Sequence, residues 1–161
     1  KLIINKIYDA HYIDCVYCPT RVSVNYYNQY KKDDYYNLHV DNFKAHPKSN
    51  NVHFDYGFSI NLNDDYEGGE IYFNTEIGTV GRKLQAGEAA IFPIIYTHGV
   101  KEVTKGLRTN VLGWFSSNLS YEQSFMLKNL YEVNQHLAKD NNDIFVKSVL
   151  VQNYLKKEWG K

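Results

Sequence analysis

The sequence predicts a mainly β fold, a sandwich or barrel of short strands followed by helices. The chain has 15 Tyr and 8 Phe but only 3 Pro, and flat aromatic side chains pack well on a pleated sheet. From Arg21 onward, at least six short apolar or alternating segments follow one another, separated by turn residues. Short strands at such intervals are typical of a sandwich or a barrel.

The first strands lie on either side of a polar break. Strand-like sequence runs over 21–27 and, after the charged residues 31–34, over 35–40. A loop is predicted over 42–52, where turn residues cluster. Residues 54–62 alternate, which predicts a half-buried strand. Its apolar face would carry Phe54, Tyr56, Phe58, Ile60 and Leu62.

The later strands are also short. A long turn over 63–69 leads to a strand over 70–74. An apolar run over 89–95 predicts a buried strand, and another strand follows over 100–103. The last strand is predicted over 108–115. Shared faces are predicted for Ile71 with Phe73 and for Val111, Gly113 and Phe115.

After Ser120 the apolar period changes from that of a strand to that of a helix. Ser120 and Gln123 have the spacing of a capping box. The stripe that follows consists of Phe125, Leu127, Leu130, Val133, Asn134 and Leu137. A second helix is predicted over 143–157. Its core-facing residues would be Ile144, Val146, Val149, Leu150 and Leu155. Both helices are expected to cover a sheet face.

Length and charge limit the function. A chain of 161 residues fits one domain, predicted here as 1–161 with a barrel core at about 21–116 and helices at about 120–158. The 18 basic and 18 acidic side chains balance, so no general nucleic-acid or membrane-surface binding is expected. Neither a membrane-spanning run nor a signal peptide is evident, and a soluble, cytoplasmic protein is expected.

The two cysteines form a C-V-Y-C segment. Together with His11, Cys15 and Cys18 would offer three zinc ligands, but a fourth ligand is not evident. The strand and helix expected beside a thioredoxin-like redox motif are not evident either. Two reduced, partly buried thiols are therefore the better interpretation.

Four residues point to one chemical site. His39 and Asp41 stand two residues apart at a strand end, so their side chains project to the same face. Two histidines and one carboxylate form the facial triad of non-haem Fe(II) oxygenases, and His98, after a buried run, is the candidate for the third ligand. Arg108 lies inside the last strand, where a guanidinium requires an anion; a dicarboxylate ligand would satisfy it.

Four segments carry these residues and identify a resemblance. They are Y-K-K-D-D-Y-Y-N-L-H-V-D-N over 30–42, D-Y-E-G-G-E over 65–70, A-G-E-A-A-I-F-P over 86–93 and H-G-V-K-E-V-T-K-G-L-R over 98–108. Together they resemble the 2-oxoglutarate-dependent oxygenases of prolyl 4-hydroxylase type, particularly small microbial and phage hydroxylases. The resemblance covers about 24–115. It implies a double-stranded β-helix, the jelly-roll barrel of cupin-like proteins, with the metal at its open end.

The resemblance also implies residue roles. His39, Asp41 and His98 would bind Fe(II), and Arg108 would bind the C5 carboxylate of 2-oxoglutarate. Tyr30 and Tyr36 would line the cosubstrate pocket. Molecular oxygen would be consumed, a C–H bond hydroxylated and 2-oxoglutarate converted to succinate and CO2, with ascorbate as a reductant. The chain departs from the pattern at Asn61, where some prolyl hydroxylases place a Tyr that binds 2-oxoglutarate.

Several functions stay open at this point. The first expectation is hydroxylation of a prolyl residue in a peptide or protein. A free amino acid, another small molecule or a nucleic-acid base is the alternative substrate, and the loops at 31–34 and 45–53 do not distinguish them. A non-catalytic binding barrel is disfavoured because all four site residues are intact. A zinc hydrolase is disfavoured because it has no role for Arg108.

Overall fold

The computed structural model describes residues 5, 7, 9–41, 53–139 and 143–160. The chain forms two compact units, one of Ser23–Phe115 and one of Lys1–Val22 with Ser116–Lys161. The loop predicted over 42–52 lies outside the described residues. The single-domain expectation stays a prediction, as does the packing of the helices on a sheet face.

The described strands number ten. Their bounds are β1 Pro19–Tyr30, β2 Tyr36–His39, β3 Tyr56–Asn61, β4 Glu67–Gly68, β5 Ile71–Thr75, β6 Gly78–Arg82, β7 Ala89–Pro93, β8 His98–Val100, β9 Val103–Lys105 and β10 Arg108–Ser117. Eight of them form two four-stranded sheets, in the orders β1-β10-β3-β7 and β2-β8-β5-β6, and β4 pairs with β9. The pairings of β3 with β10 and β7, and of β8 with β2 and β5, are antiparallel. This is the strand arrangement of a double-stranded β-helix.

Strand β3 is buried on both faces, so the prediction of a half-buried strand was wrong. Tyr56 and Phe58 are buried on one face, and Ser59 and Asn61 are buried on the other. The sequence pattern misled because polar residues usually indicate solvent. Here the polar side chains form hydrogen bonds inside the barrel instead. Leu62 lies beyond the end of β3 and is exposed.

Three other strand predictions need correction. The turn predicted over 63–69 contains β4, and the strand predicted over 100–103 is divided between β8 and β9. Strand β6 was not predicted. Its five residues are all exposed and pair with β5 through the backbone, so they carry none of the apolar alternation on which strand prediction depends. Ile71 packs in a core with Leu84 and Phe92, and Phe73, predicted on the same face as Ile71, packs against that core.

The second unit contains three described helices, α1 (His11–Tyr17), α2 (Tyr121–Leu137) and α3 (Asp143–Trp159). Helix α1 was not predicted. The capping box of α2 is confirmed: Gln123 N–H donates to Ser120 Oγ at 3.2 Å, and Ser120 N–H donates to Gln123 Oε1 at 2.9 Å. None of the helices in the described part of the chain is long and apolar enough to span a membrane.

The predicted apolar faces of α2 and α3 were partly wrong. Leu127 is fully buried, but Phe125 and Val133 are exposed on α2. On α3 the exposed residues include Ile144, Val146 and Leu150. The buried face of α3 is instead centred on Gln152, which accepts a hydrogen bond from Asn134 Nδ2 of α2 at 2.6 Å. This hydrogen bond satisfies one polar atom of each amide, while Asn134 Oδ1 and Gln152 Nε2 have no hydrogen-bond partner among the described residues.

Helix α1 and its end carry the two thiols. Cys15 is buried, Cys18 is partly buried, and both are free, in agreement with the interpretation from sequence. His11 lies beside Cys15, with 3.5 Å between His11 Nε2 and Cys15 Sγ. Burial raises the pKa of both thiols, and the nearby Lys156 opposes this shift. Among the described residues, the one group of three metal-ligating side chains lies elsewhere, in the barrel.

Candidate metal and cosubstrate site

Three predicted metal ligands converge in the barrel unit. His39 ends β2 and is paired directly with His98 of β8, and Asp41 follows β2 by two residues. Asp41 Oδ1 lies 3.5 Å from His39 Nε2 and 3.9 Å from His98 Nε2. The three ligand atoms all lie within 4.8 Å of one another. Such a cluster can hold one metal ion on a single face.

Both histidines are oriented by the backbone. His39 Nδ1 lies 2.9 Å from Asn37 O, and His98 Nδ1 lies 2.9 Å from Tyr96 O. A carbonyl oxygen only accepts hydrogen bonds, so each Nδ1 carries the proton. Each Nε2 therefore presents its lone pair toward Asp41, which is the arrangement that metal-bound histidines require.

The carboxylate of Asp41 is held by Trp114. The indole Nε1–H of Trp114 donates to Asp41 Oδ2 at 2.8 Å, which leaves Oδ1 for the metal. Phe54 stacks beside the indole with ring centroids 6.3 Å apart, and Tyr26 meets its edge at 5.9 Å. Sequence reasoning missed Trp114. It stands six residues after Arg108, so strand alternation on β10 places it on the same face, and that signal could have found it.

The site is closed on one side and open on the other. His98 is 5% exposed, and its ring contacts Phe92 and Phe73 at centroid distances of 4.4 and 5.9 Å. Burial lowers the pKa of His98, while its bond to Tyr96 O and the charge of Asp41 oppose the shift. His39 is partly exposed and contacts the exposed Tyr36 ring at 4.5 Å. A substrate would therefore approach from the side of His39.

Arg108 is buried, and no acidic side chain of the described residues forms an ion pair with it. The side chain is 1% exposed, and its Nε and Nη1 have no hydrogen-bond partner among the described residues. Its guanidinium carbon lies 5.2 Å from the centroid of the Tyr30 ring. A Cβ at Gly69 would stand 3.1 Å from Arg108 Cδ, so the glycine leaves room for the arginine. Buried charges are normally paired, and these free donors suit a carboxylate.

The two predicted pocket tyrosines lie at different places. Tyr30 lies beside Arg108, and burial raises the pKa of its hydroxyl, an effect that Arg108 opposes. Tyr36 lies against His39 at the open side of the metal cluster. The structure therefore brings Tyr30 to the arginine end and Tyr36 to the metal end. Their roles in binding stay predictions.

Polar side chains of β3 and β10 share the barrel interior with Arg108 and Trp114. Asn110 is paired in register with Asn61, and Asn110 Nδ2 donates to Ser59 Oγ at 2.8 Å. Asn61 Nδ2 donates to Tyr66 OH at 2.6 Å and to Leu84 O at 2.8 Å. All four side chains are buried. Sequence reasoning assigned no interior role to Ser59, Tyr66 or Asn110.

The donor set fits iron and a dicarboxylate. Two imidazole nitrogens and one carboxylate oxygen on one face leave the opposite positions of an octahedral ion for other ligands, which is the arrangement of non-haem Fe(II) oxygenases. The free guanidinium donors of Arg108 suit the far end of an acidic ligand whose near end reaches the metal. The residues present therefore fit both groups.

Comparison with known proteins identifies the family. The model of the 2OG-Fe(II) oxygenase superfamily matches residues 18–116, more than half of the chain. The chain belongs to the 2OG-Fe(II) oxygenase superfamily. Membership implies Fe(II) and 2-oxoglutarate, which agrees with the donor set described above.

Curated relatives of this superfamily member are hydroxylases. The chain is 26% identical to the PKHD-type hydroxylase IL0759 of Idiomarina loihiensis, over 99% of this chain and 74% of that protein. It is 28% identical to the PKHD-type hydroxylase YbiX of Shigella boydii, over 89% of this chain and 66% of that protein. The chain thus spans about two thirds to three quarters of the length of these relatives.

Solved structures confirm the fold of this superfamily member. A 2OG-Fe(II) family oxidoreductase from Burkholderia pseudomallei has a TM-score of 0.55 and 18% identity, covering 71% of this chain and 56% of that one. A prolyl-4-hydroxylase from Pseudomonas putida has a TM-score of 0.50 and 18% identity, covering 62% and 53%. At this identity the likeness concerns the fold, and it confirms the predicted double-stranded β-helix.

Proposed function

We propose that this chain is an Fe(II)- and 2-oxoglutarate-dependent dioxygenase that hydroxylates a C–H bond. His39, Asp41 and His98 would hold the metal, and Arg108 would bind the C5 carboxylate of 2-oxoglutarate. The observation that carries the proposal is the buried guanidinium of Arg108, whose Nε and Nη1 have no partner among the described residues. Bound iron would supply the activation of molecular oxygen, with 2-oxoglutarate oxidised to succinate and CO2.

The residues of this chain prepare the site before any ligand arrives. The backbone carbonyls at positions 37 and 96 fix the tautomers of His39 and His98. Trp114 holds one oxygen of Asp41, so the other is presented to the metal. Phe73 and Phe92 cover His98 and exclude water from that side. Preorganised ligands of this kind bind a metal without first having to rearrange.

The substrate proposed first is a prolyl residue in a peptide or protein. Two curated relatives are PKHD-type hydroxylases, and one protein whose solved structure has this fold is a prolyl-4-hydroxylase. The exposed ring of Tyr36 lies beside His39 on the open side of the site, and the exposed ring of Tyr26 lies at the edge of Trp114. Flat aromatic rings bind apolar and extended ligands well. Ascorbate as a reductant stays a prediction.

The experiment that tests the cofactor assignment is an anaerobic titration with Fe(II) and 2-oxoglutarate. The wild-type protein should develop the weak visible charge-transfer band of a 2-oxo acid bound to iron. His98→Ala should lose the band, because a buried ligand is removed. His136→Ala, a change at an exposed histidine of α2, should keep it. Absence of the band in the folded wild-type protein, together with absence of bound metal, would exclude the oxygenase function.

A second experiment tests the substrate class. A library of proline-containing peptides is incubated with enzyme, Fe(II) and 2-oxoglutarate. Both the release of succinate and the change in mass of each peptide are measured. A prolyl hydroxylase adds one oxygen atom to a peptide and none to the same peptide with Pro replaced by Ala. Succinate release that is stimulated by free amino acids and not by peptides would move the proposal to a small-molecule substrate.

A further inference from the structure

The buried ring of Tyr66 packs near the aliphatic part of Arg108. Tyr66 is 3% exposed, and it precedes the two glycines over which the chain turns. A Cβ on Gly69 would stand 3.1 Å from both Tyr66 Cε2 and Arg108 Cδ. These two side chains therefore border the same small space, with atoms no more than about 6 Å apart. The Tyr66 ring and the aliphatic part of the Arg108 side chain thus pack against the same glycine.

The hydroxyl group of Tyr66 donates only a long, weak hydrogen bond. The oxygen accepts a hydrogen bond from Asn61 Nδ2 at 2.6 Å. The proton is directed to Leu84 O at 3.5 Å, at the limit of hydrogen-bond length. Leu84 O already accepts a shorter bond of 2.8 Å from Asn61 Nδ2. A buried phenol with a weak acceptor will donate to a better one when it is offered.

Asn61 holds the Tyr66 hydroxyl in place but cannot itself donate a hydrogen bond to a carboxylate. Its Nδ2 group contacts Leu84 O at 2.8 Å and Asn63 O at 3.2 Å, and both partners are carbonyls that only accept. The amide orientation is therefore determined, and its two Nδ2 hydrogens are shared among these two carbonyls and the Tyr66 hydroxyl, so neither is free. Asn61 stands where some prolyl hydroxylases place a tyrosine that binds 2-oxoglutarate. In this chain that position cannot donate to a carboxylate.

We propose that the Tyr66 hydroxyl, held by Asn61, donates a hydrogen bond to the C5 carboxylate of 2-oxoglutarate beside Arg108. The inference rests on the proposed function. Tyr66 would supply, from a different place in the fold, the hydroxyl that Asn61 lacks. A bond to a carboxylate is shorter and stronger than a bond to a neutral carbonyl, so the proton would leave Leu84 O when the ligand binds. Tyr66 is then a binding residue for the cosubstrate.

The test compares two 2-oxo acids on Tyr66→Phe. 2-Oxoglutarate has the distal carboxylate, and 2-oxobutyrate lacks it. Dissociation constants are measured by anaerobic titration of the Fe(II)-loaded protein, followed by the charge-transfer band and by calorimetry. Loss of a hydrogen bond to a charged group predicts about tenfold weaker binding of 2-oxoglutarate. Binding of 2-oxobutyrate should not change.

Matched controls separate this inference from the function on which it rests. Tyr66→Phe is expected to fold, because Asn61 Nδ2 keeps two carbonyl acceptors, and its thermal midpoint and Fe(II) affinity are measured. Tyr72→Phe, on β5, should bind both acids like the wild type. Equal weakening of both acids, or no weakening, would overturn the role of Tyr66 and leave the dioxygenase proposal standing. Failure of the wild-type protein to bind 2-oxoglutarate would overturn both.

Discussion

At the scale of single residues, the buried charge of Arg108 affects both stability and ligand binding. Moving a charged group out of water costs several kcal/mol unless it is paired, and the guanidinium of Arg108 has two buried nitrogens without partners in the described part of the chain. In the ligand-free protein this arrangement destabilises the barrel. The same arrangement favours binding of any ligand that supplies a carboxylate. Arg108 therefore lowers the stability of the ligand-free protein and raises its affinity for an acidic ligand.

Replacing Arg108 by methionine should therefore separate stability from binding. We expect Arg108→Met to leave the free energy of unfolding of the ligand-free protein unchanged or to raise it by about 1–4 kcal/mol, because an apolar chain of similar size needs no partner. The variant should lose the stabilisation that 2-oxoglutarate gives the wild type, about 2.7 kcal/mol at a hundredfold excess over Kd. Urea unfolding with and without ligand measures both. A large loss of stability without ligand would contradict this account.

Trp114 should tune the metal affinity through Asp41. Trp114→Phe removes the indole N–H that donates to Asp41 Oδ2, and loss of such a supporting bond typically weakens metal binding about 10- to 100-fold. Calorimetric titration with Co(II) measures the change. The matched control is Trp159→Phe, at the end of α3, which should bind Co(II) like the wild type. Equal affinity in Trp114→Phe would show that Asp41 keeps its orientation without the indole.

The residues of the metal cluster could be predicted because their chemistry and spacing are local. His39 and Asp41 are two residues apart, and His98 and Arg108 are separated by ten. Trp114 was missed because its partner Asp41 lies 73 residues away in the sequence, although strand alternation from Arg108 could have placed it on the same face. The pairing of Tyr66 with Asn61 was also missed. A tyrosine beside a predicted turn is expected at the surface, and the sequence does not indicate that both side chains are buried.

At the scale of elements, β3 and its glycine set the space around the metal ligands. Gly57 is paired with Phe92 of β7 on one side and with Trp114 of β10 on the other. A Cβ at Gly57 would stand 2.8 Å from Phe92 Cε2 and 3.2 Å from Asp41 Oδ2. A single methyl group would therefore press on a ligand and on the ring that covers His98.

Gly57→Ala should weaken both stability and metal binding. Overpacking a core typically costs about 1–3 kcal/mol, and displacement of Asp41 should lower Co(II) affinity. Thermal unfolding and calorimetric titration measure the two effects. Gly87→Ala is the control, since Gly87 has a φ of +83° but no atom within 4 Å of the added Cβ; it should lower stability and leave metal affinity unchanged. Wild-type affinity in Gly57→Ala would show that Phe92 moves aside freely.

The thiols near α1 should be slow to react. Burial raises the pKa of Cys15 and Cys18, so at pH 8 the folded protein should hold less thiolate than an unfolded chain does, and only the thiolate is nucleophilic. Alkylation by iodoacetamide should be slower than in urea-unfolded protein and should accelerate as the pH rises. Rates equal to those of the unfolded chain would indicate accessible thiols with ordinary pKa values.

Element type followed from sequence where a segment had a strong periodic pattern. Strand β5 and the start of α2 were predicted because their apolar and capping residues are local signals. Strand β6 was missed because it is held by backbone pairing alone. The buried face of α3 was misjudged because the residue buried there, Gln152, is polar and pairs with Asn134 of α2. Such a contact depends on two helices and is invisible in either one.

At the scale of the whole molecule, the described site residues lie within the unit Ser23–Phe115. We expect Co(II) with 2-oxoglutarate to slow amide hydrogen exchange chiefly in peptides of that unit, because ligands protect the parts of a protein whose opening releases them. Exchange followed by mass spectrometry checks this. An equal gain of protection in peptides of α2 and α3 would instead indicate one cooperative domain, as the sequence predicted.

The two histidines and the aspartate of the cluster differ in what mutation can do to their supports. Asn37 O and Tyr96 O are main-chain atoms, so they persist whatever side chains positions 37 and 96 acquire. The support of Asp41 is a side chain, Trp114, and one substitution removes it. Accumulated substitutions can therefore leave both imidazoles correctly protonated while the carboxylate of Asp41 loses its orientation. In such lineages, the affinity of the proposed metal site would fall in one step through Asp41, while both histidines keep their orientation.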